Sequence, residues 1–507
     1  MKVLIISSEV VPFAKTGGLA DVAGTLPAAV KSQGVEIRVM MPKYRCVGED
    51  AFNLKPSRLK PLFFNVPMGG GNERASLRSS TLSLQPGAAG LRESGDEEIP
   101  VYFIENNKYF DRDGLYVDEN GLEYSDNGKR FAFFCRAAIE SLGLILYKPD
   151  VIHCNDWQTG LIPVYLKTKY RDNPFLKTIK TLYTIHNIAY QGIFGPEVMD
   201  YSGLDKSLFN YHQLEFYGSM NFCKAGLVFS DAINTVSEKY AGEIMTPEFG
   251  CKMEGVLSER RNDVYGILNG IDYEYWNPSK DRYMWQRYDE NMLEGKWMNK
   301  RMLQEEMGLP QKDGIPVFGF VSRLAAQKGL DIISEALPAL VEKDLQIVML
   351  GKGDAAYEKL VQDFSLRYPE KIKAVTGFDV PLSRKIYAGS DFFLMPSYFE
   401  PCGLGQMIAM RYGTIPVVHA TGGLADTITD YSADAESGNG FSFEQYSAQS
   451  LLDTVERAMS LYAEMHGRIK LIGRIMRMRF SWENSAKRYI ELYEKISKTA
   501  DSPKGMA

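Results

Sequence analysis

Short apolar runs alternate along this chain with longer stretches whose apolar residues recur at helical spacing. Residues 3–7 (VLIIS) form one such run. A glycine-bearing loop, the helical pattern of residues 19–34 (LADVAGTLPAAVKSQG) and a second apolar run at 35–42 (VEIRVMMP) follow. This order predicts a strand-helix-strand unit. Further strand-like runs lie at 150–156 (DVIHCND), 179–187 (IKTLYTIHN) and 225–237 (AGLVFSDAINTVS). Strands separated by helical segments imply a mostly parallel sheet with helices on both faces. Residues 69–98 break the rhythm with glycine, serine and charge, which predicts a hairpin carrying a mobile surface loop.

A second series begins beyond the polar stretch at 258–263, with apolar runs at 316–322 (PVFGFVS), 345–351 (LQIVMLG), 371–377 (KIKAVTG), 391–397 (DFFLMPS) and 414–420 (TIPVVHA). It predicts a second doubly wound domain, similar to the first in architecture and not in sequence. Residues 482–497 (WENSAKRYIELYEKIS) read as one amphipathic closing helix. The boundaries expected are 1–264 plus 482–507 for the first domain and 265–481 for the second. Ligands of such sheets bind outside the carboxyl ends of the strands, so two domains facing each other would share one cleft.

Composition narrows the chemistry. A chain of 507 residues, 45% of them hydrophobic, can bury a core in each of two domains. The formal charge of -6, from 58 basic and 64 acidic side chains, gives no footprint for nucleic acid or an anionic membrane. No apolar stretch approaches the ~18 residues that span a bilayer. The six cysteines include no C-x-x-C pair and no leader precedes the first strand, so reduced thiols in a cytoplasm are expected. The five histidines never fall at metal-ligand spacing, so no structural or catalytic zinc is expected. No cofactor is expected either.

Several loops carry candidate chemistry. At 15–22 (KTGGLADV) the paired Gly17 and Gly18 let backbone approach a ligand, the helix start offers N–H groups, and Lys15 adds charge. An ordinary strand-to-helix turn with an exposed lysine reads the same residues equally well. At 322–329 (SRLAAQKG), Arg323 and Lys328 open a helix where cations oppose the macrodipole, a local conflict that favours a diphosphate site. Both are expected at the cleft surface. At 397–405 (SYFEPCGLG), Glu400 sits at a strand end, as an anchor or as a helix-capping carboxylate. Cys402 has no histidine near it in sequence and reads as packing beside a tight turn. Gly351, Gly353 and Ala356 mimic a dinucleotide fingerprint but follow the second strand of their domain, so a tight turn is preferred. Asp156, Trp157, His186, Asn187 and Tyr190 follow strands of the first domain. Their polar groups suit hydroxyls and their rings suit sugars, although aromatic residues more often form core.

Taken together, KTGGLADV, HCNDWQTGL, HNIAYQG, NGID at 269–272, SRLAAQKG and YFEPCGLGQ with TGGLADT resemble, in order, the motif series of bacterial glycogen synthases and plant starch synthases. The resemblance spans nearly the whole chain. It implies an α/β fold of two Rossmann-like doubly wound domains facing across a cleft, the GT-B architecture, with the C-terminal helix crossing back to the first domain. It further implies retaining transfer of glucose from ADP-glucose, with UDP-glucose as the alternative donor, onto an α-1,4-glucan such as glycogen, without an essential metal. Lys15 and the Gly18 backbone would then contact the distal phosphate, and Arg323 and Lys328 would neutralise the diphosphate. Glu400 with the Gly403 and Leu404 amides would hold glucose. Asp21 and Asn269 become donor contacts, Asp156, Trp157 and His186 line the glucose and acceptor region, and Phe378 is the candidate ring on the base. Many retaining transferases of this architecture carry a second glutamate eight residues after the first; here that position is Ile408, which fits the glycogen synthase subgroup. A glucan phosphorylase and a catalytically inactive glycan-binding protein are the alternatives.

Overall fold

The computed structural model describes residues 1–56, 63–83, 98–312, 314–432 and 437–498. The chain divides into two compact units, one of Met1–Val236, Ala241–Leu268 and Trp482–Ala507, the other of Ser237–Tyr240 and Asn269–Ser481.

The first unit is built on a ten-stranded sheet. Its strands in chain order are β1 (Lys2–Ile6), β2 (Glu36–Pro42), β3 (Lys55–Pro56), β4 (Phe63–Met68), β5 (Gly71–Ser83), β6 (Glu98–Glu105), β7 (Val151–Asn155) and β8 (Lys180–Ile185). A separate three-stranded antiparallel sheet holds β9 (Ile193–Phe194), β10 (Glu215–Phe216) and β11 (Ser219–Asn221); β12 (Ala232–Thr235) and β13 (Val264–Gly266) return to the large sheet. The spatial order is β13-β12-β8-β7-β1-β2-β6-β5-β3, with β4 on β5. From β13 to β6 the neighbours are parallel, and β3 to β5 add an antiparallel flank. Val3 to Ile6 are all buried because helices cover both faces of a parallel sheet, so β1 is apolar throughout rather than alternating. The chain leaves β1 toward β2 on one side and reaches β7 on the other. That reversal of strand order is a topological switch point, the position at which such sheets hold ligands.

The expected break at 69–98 is a hairpin whose turn is Gly69–Gly70; Gly69 is required because a Cβ there would lie 1.6 Å from the Asp200 carbonyl oxygen. The rest of the expected loop, residues 84–97, lies outside the described residues. The run at 225–237 is not one strand. Helix Phe222–Phe229 occupies its first part, with the Asn221 side chain accepting the Lys224 N–H as N-cap, and only β12 is extended.

Helix Trp482–Lys498 belongs to the first unit and packs on helix Gly18–Lys31. A buried polar chain anchors it. The Tyr493 hydroxyl lies 2.8 Å from His153 Nδ1 on β7, His153 Nε2 lies 2.5 Å from the Thr184 hydroxyl on β8, and Thr184 donates in turn to Asn234 on β12. Because Thr184 spends its proton on Asn234, the Nε2 of His153 is the donor and Nδ1 accepts from Tyr493. Burial pushes the His153 pKa down to about 3, so the neutral ring is the form that fits this chain.

The second unit carries a six-stranded parallel sheet of β14 (Val317–Val321), β15 (Gln346–Gly351), β16 (Ile372–Thr376), β17 (Phe392–Met395), β18 (Ile415–His419) and β19 (Phe441–Phe443). Its order, β16-β15-β14-β17-β18-β19, again reverses at the first strand of the series, so the switch point lies between β14 and β17. Among the described residues no helix is long and apolar enough to cross a membrane.

Candidate functional site

At the first unit's switch point the loops after β1 and β7 stand side by side. Glu9 follows β1 and is 3% exposed. Its carboxylate accepts the backbone N–H of Thr16 at 2.5 Å and of Gly17 at 3.2 Å, the Thr16 hydroxyl at 2.6 Å and the Tyr116 hydroxyl at 2.8 Å. These bonds fix the loop that opens helix Gly18–Lys31, whose first turn no side chain caps. Gly17 has a φ of -150°, which any residue adopts, and a Cβ at Gly17 or Gly18 would meet no atom within 4 Å. Neither conformation nor packing asks for glycine there, and the open approach to the backbone suits a ligand. Lys15 Nζ reaches Asp21 Oδ1 at 2.7 Å, with 45% and 33% of the side chains exposed. Such a solvated pair is weak, so Lys15 can exchange its partner for an anion.

After β7, Asp156 adopts a φ of 54°, a left-handed conformation that costs a non-glycine residue free energy. Its N–H donates to the Thr184 carbonyl at 2.9 Å and its carboxylate accepts the His186 N–H at 2.7 Å. Burial, opposed by the His186 N–H and aided by the charge of Glu9, raises the Asp156 pKa to about 7. The His186 Nε2 lies 2.9 Å from Asn155 Oδ1. The Asn155 amide nitrogen donates to the carbonyls of Ile6 and His153, so its oxygen is the acceptor and Nε2 carries the hydrogen. Burial pushes the His186 pKa down to about 3, leaving a neutral ring near pH 7. Asn187 Oδ1 closes a local turn on the Ala189 N–H at 3.0 Å. Trp157 is core: its ring meets those of Tyr116, Phe131, Phe194 and Phe222. Gly192 lies so close that a Cβ would stand 2.4 Å from the indole. Trp157 therefore braces this loop from within, while Tyr190 is exposed.

In the second unit the loops after β14 and β17 are stitched together. The Tyr398 N–H donates to the Gln327 carbonyl and the Gln327 amide donates to the Phe399 carbonyl, each at 2.9 Å. Lys328 Nζ lies 2.6 Å from Glu400 Oε2, with 13% and 9% of the side chains exposed, and the Ser397 hydroxyl donates to the same oxygen at 3.0 Å. Lys328 is thus not the surface cation expected; it is largely buried and ion-paired. Arg323 is exposed. Gly329, φ 76°, allows this packing, since a Cβ would fall 2.0 Å from the Pro396 carbonyl oxygen. Asn269 and Cys402 are both buried and in contact; burial pushes the Cys402 thiol up to about 12, which rules it out as a nucleophile near pH 7. The Asn269 Oδ1 has no hydrogen-bond partner among the described residues. Gly403 is left-handed at φ 72°, and Leu404 opens helix Gly405–Arg411. Phe378 stands beyond β16, 83% exposed, and the structure does not join it to the Lys328–Glu400 group.

The hexapeptide Thr-Gly-Gly-Leu-Ala-Asp occurs twice, at 16–21 and 421–426, each time opening a helix. In the second copy the glycines have a structural cause: a Cβ at Gly422 or Gly423 would come within 2.0 Å of the Glu400 or Cys402 carbonyl oxygen. The first copy has none, and that contrast marks the loop at 15–18 as the one shaped for something other than its own fold. Gly351 and Gly353 are likewise explained by packing, against the carbonyls of Ser322 and Leu324. Glu9, Tyr116 and Ser397 were not singled out by sequence reasoning. A carboxylate just past the first strand was a visible signal for Glu9; Tyr116 arrives from a distant loop and had none.

Residues 2–259 match the family model described as the starch synthase catalytic domain, and residues 304–474 match that of the glycosyl transferases group 1. The chain is 47% identical to a glycogen synthase of Thermotoga maritima, over 98% of this chain and 99% of that one. It is 48% identical to a glycogen synthase of Moorella thermoacetica, over 97% of this chain and 96% of the other. Among solved structures it resembles the catalytic domain of starch synthase IV from Arabidopsis thaliana bound to ADP and acarbose, with a TM-score of 0.87, 32% identity and coverage of 98% and 99%.

Proposed function

This chain belongs to the family of glycogen and starch synthases, and on that premise we propose that it transfers glucose from ADP-glucose to the non-reducing end of an α-1,4-glucan with retention of configuration. The observation that carries the reading is the Lys328–Glu400–Ser397 group at the β14/β17 switch point, a cation held ready where a developing negative charge needs it. An ammonium has three donors, and Glu400 takes one, so two remain for a diphosphate. Arg323 supplies the second cation, Lys15 and the Gly18 amide take the distal phosphate, and Glu400 with the Gly403 and Leu404 amides holds the glucose. The Asn269 Oδ1, without a hydrogen-bond partner among the described residues, accepts a donor hydroxyl, Asp21 supports Lys15, and the exposed Phe378 ring stacks on the base. Asp156, His186 and Asn187 bind hydroxyls on a loop that Trp157 braces.

The departing phosphate accepts the proton of the acceptor hydroxyl on the same face, so no carboxylate nucleophile is needed. ADP in the Arabidopsis relative favours ADP-glucose over UDP-glucose here, and the acarbose bound to that relative favours a glucan acceptor. A cytoplasmic setting accords with six cysteines that form no disulfide. The test is incorporation of labelled glucose into glycogen from ADP-glucose and UDP-glucose side by side. Transfer chiefly from ADP-glucose is expected; incorporation only from glucose 1-phosphate would make the protein a phosphorylase, and glycan binding without turnover would leave it a binding protein.

A further inference from the structure

Glu9 is a negative charge placed directly beneath the loop at 15–18, where it repels a phosphate unless protein donors satisfy it. Four donors do so: two backbone N–H groups, the Thr16 hydroxyl and the Tyr116 hydroxyl. Tyr116 is itself tied to Ser8 at 2.6 Å, which fixes the hydroxyl that donates to the carboxylate. The loop needs such a hold. Gly17 and Gly18 carry no side chains and face no neighbours that would fix them, and the Lys15–Asp21 pair is solvated.

We infer that Glu9 is a positioning residue that latches Thr16 and Gly17, so that the first helical turn, beginning at Gly18, presents its N–H groups to the distal phosphate of a nucleoside diphosphate. The inference rests on the donor reading above. By occupying the amides of Thr16 and Gly17, the carboxylate also decides which N–H groups are left to face the ligand. Glutamine can reproduce the latch: its oxygen takes the two backbone donors, and its NH₂ faces the two hydroxyls, which can accept as well as donate. Alanine cannot.

The experiment compares ADP and AMP, which differ by the distal phosphate, in calorimetric titrations of the full-length protein. In Glu9→Ala the backbone of two residues must be ordered by the ligand, so ADP affinity is expected to fall about tenfold or more while AMP affinity stays within about twofold. Glu9→Gln should recover ADP affinity to within about threefold of the wild type. Equal losses for ADP and AMP, or an unchanged ratio in folded Glu9→Ala, would overturn the latch, as would a Glu9→Gln variant no better than Glu9→Ala. Should Glu9→Ala fail to fold, Tyr116→Phe removes one of the four donors and should weaken ADP alone by a smaller factor; an unaffected ratio there overturns the inference. A wild type that discriminates ADP from AMP while the variants do so equally well defeats the latch only, whereas a wild type with no preference for ADP defeats the donor reading with it.

Discussion

Replacing Lys328 by methionine keeps most of the length of the side chain and removes its charge. In the folded unit Glu400 would then be left largely buried, with the Ser397 hydroxyl at 3.0 Å as its remaining side-chain donor among the described residues. Breaking one half of a buried pair costs ~3–5 kcal/mol, and the Ser397 bond places this case at the lower end, ~3 kcal/mol. For a unit of this size each kcal/mol moves Tm by ~2–4 °C, so the variant should melt ~6–12 °C below the wild type. Adding Glu400→Gln removes the orphaned charge and should restore most of that loss. On the proposed role of Lys328 at the leaving diphosphate, activity should not return with it, because that cation is still missing; kcat should stay ~10²–10³ below the wild type. Thermal melts followed by circular dichroism, with kcat measured below the lowest melting range, separate the two effects. A single variant that melts with the wild type, or a double variant no more stable than the single, would refute the buried-pair account of Lys328.

Arg323→Ala should lose kcat by a similar ~10²–10³ but leave Tm nearly unmoved, since the side chain is exposed; an activity loss that tracks unfolding would contradict it. Gly18→Ala should fold normally and lose ADP binding, whereas Gly423→Ala should be strongly destabilised by the approach of its Cβ to the Cys402 carbonyl oxygen, and melts with ADP titrations check both. Burial lowers the folded pKa of His153 to about 3 against an ordinary value of 6.5, so the unfolded chain binds the extra proton between those values. Its contribution is full above the upper value and lost as pH falls through the window. Asp156, raised to about 7, has the opposite sign and loses stability as pH rises toward that value. His153→Gln should therefore be less stable than the wild type at pH near 7 yet show a shallower decline toward pH near 4; parallel curves would exclude His153 as a source of the acid sensitivity.

The sheets were legible because parallel strands are apolar throughout, and runs such as VLII and FFLM stand out against any helical pattern. Where an apolar run held both a helix and a strand, as at 225–237, periodicity could not divide it; the extended Ser230 that ends the helix does so in the structure. The candidate site was legible to the extent that its residues lie in loops that follow strands, directly for Asp156 and His186, within a few residues for Arg323 and Glu400, and farther along the loop for Lys15. What sequence could not supply was the partner of each side chain. The burial of Lys328 against Glu400 depends on a contact between residues 72 positions apart, and the Glu9–Tyr116 contact spans 107. The aromatic character of Trp157 suggested a sugar platform, but its four ring neighbours come from four other segments and make it core. The two copies of TGGLAD make the same point: one sequence is required by packing in one unit and unexplained by packing in the other.

The central claim, retaining glucosyl transfer to an α-glucan, is tested most directly by nuclear magnetic resonance of a reaction between ADP-glucose labelled with carbon-13 at C1 and a short α-1,4-glucan, run after exhaustive chelation of divalent metals. The account predicts that the donor anomeric signal is replaced by that of a new α-1,4-linked residue at the non-reducing end, with ADP released in equal amount. A β-linked product, free glucose in place of transfer, or turnover that returns only when magnesium or manganese is restored would contradict it.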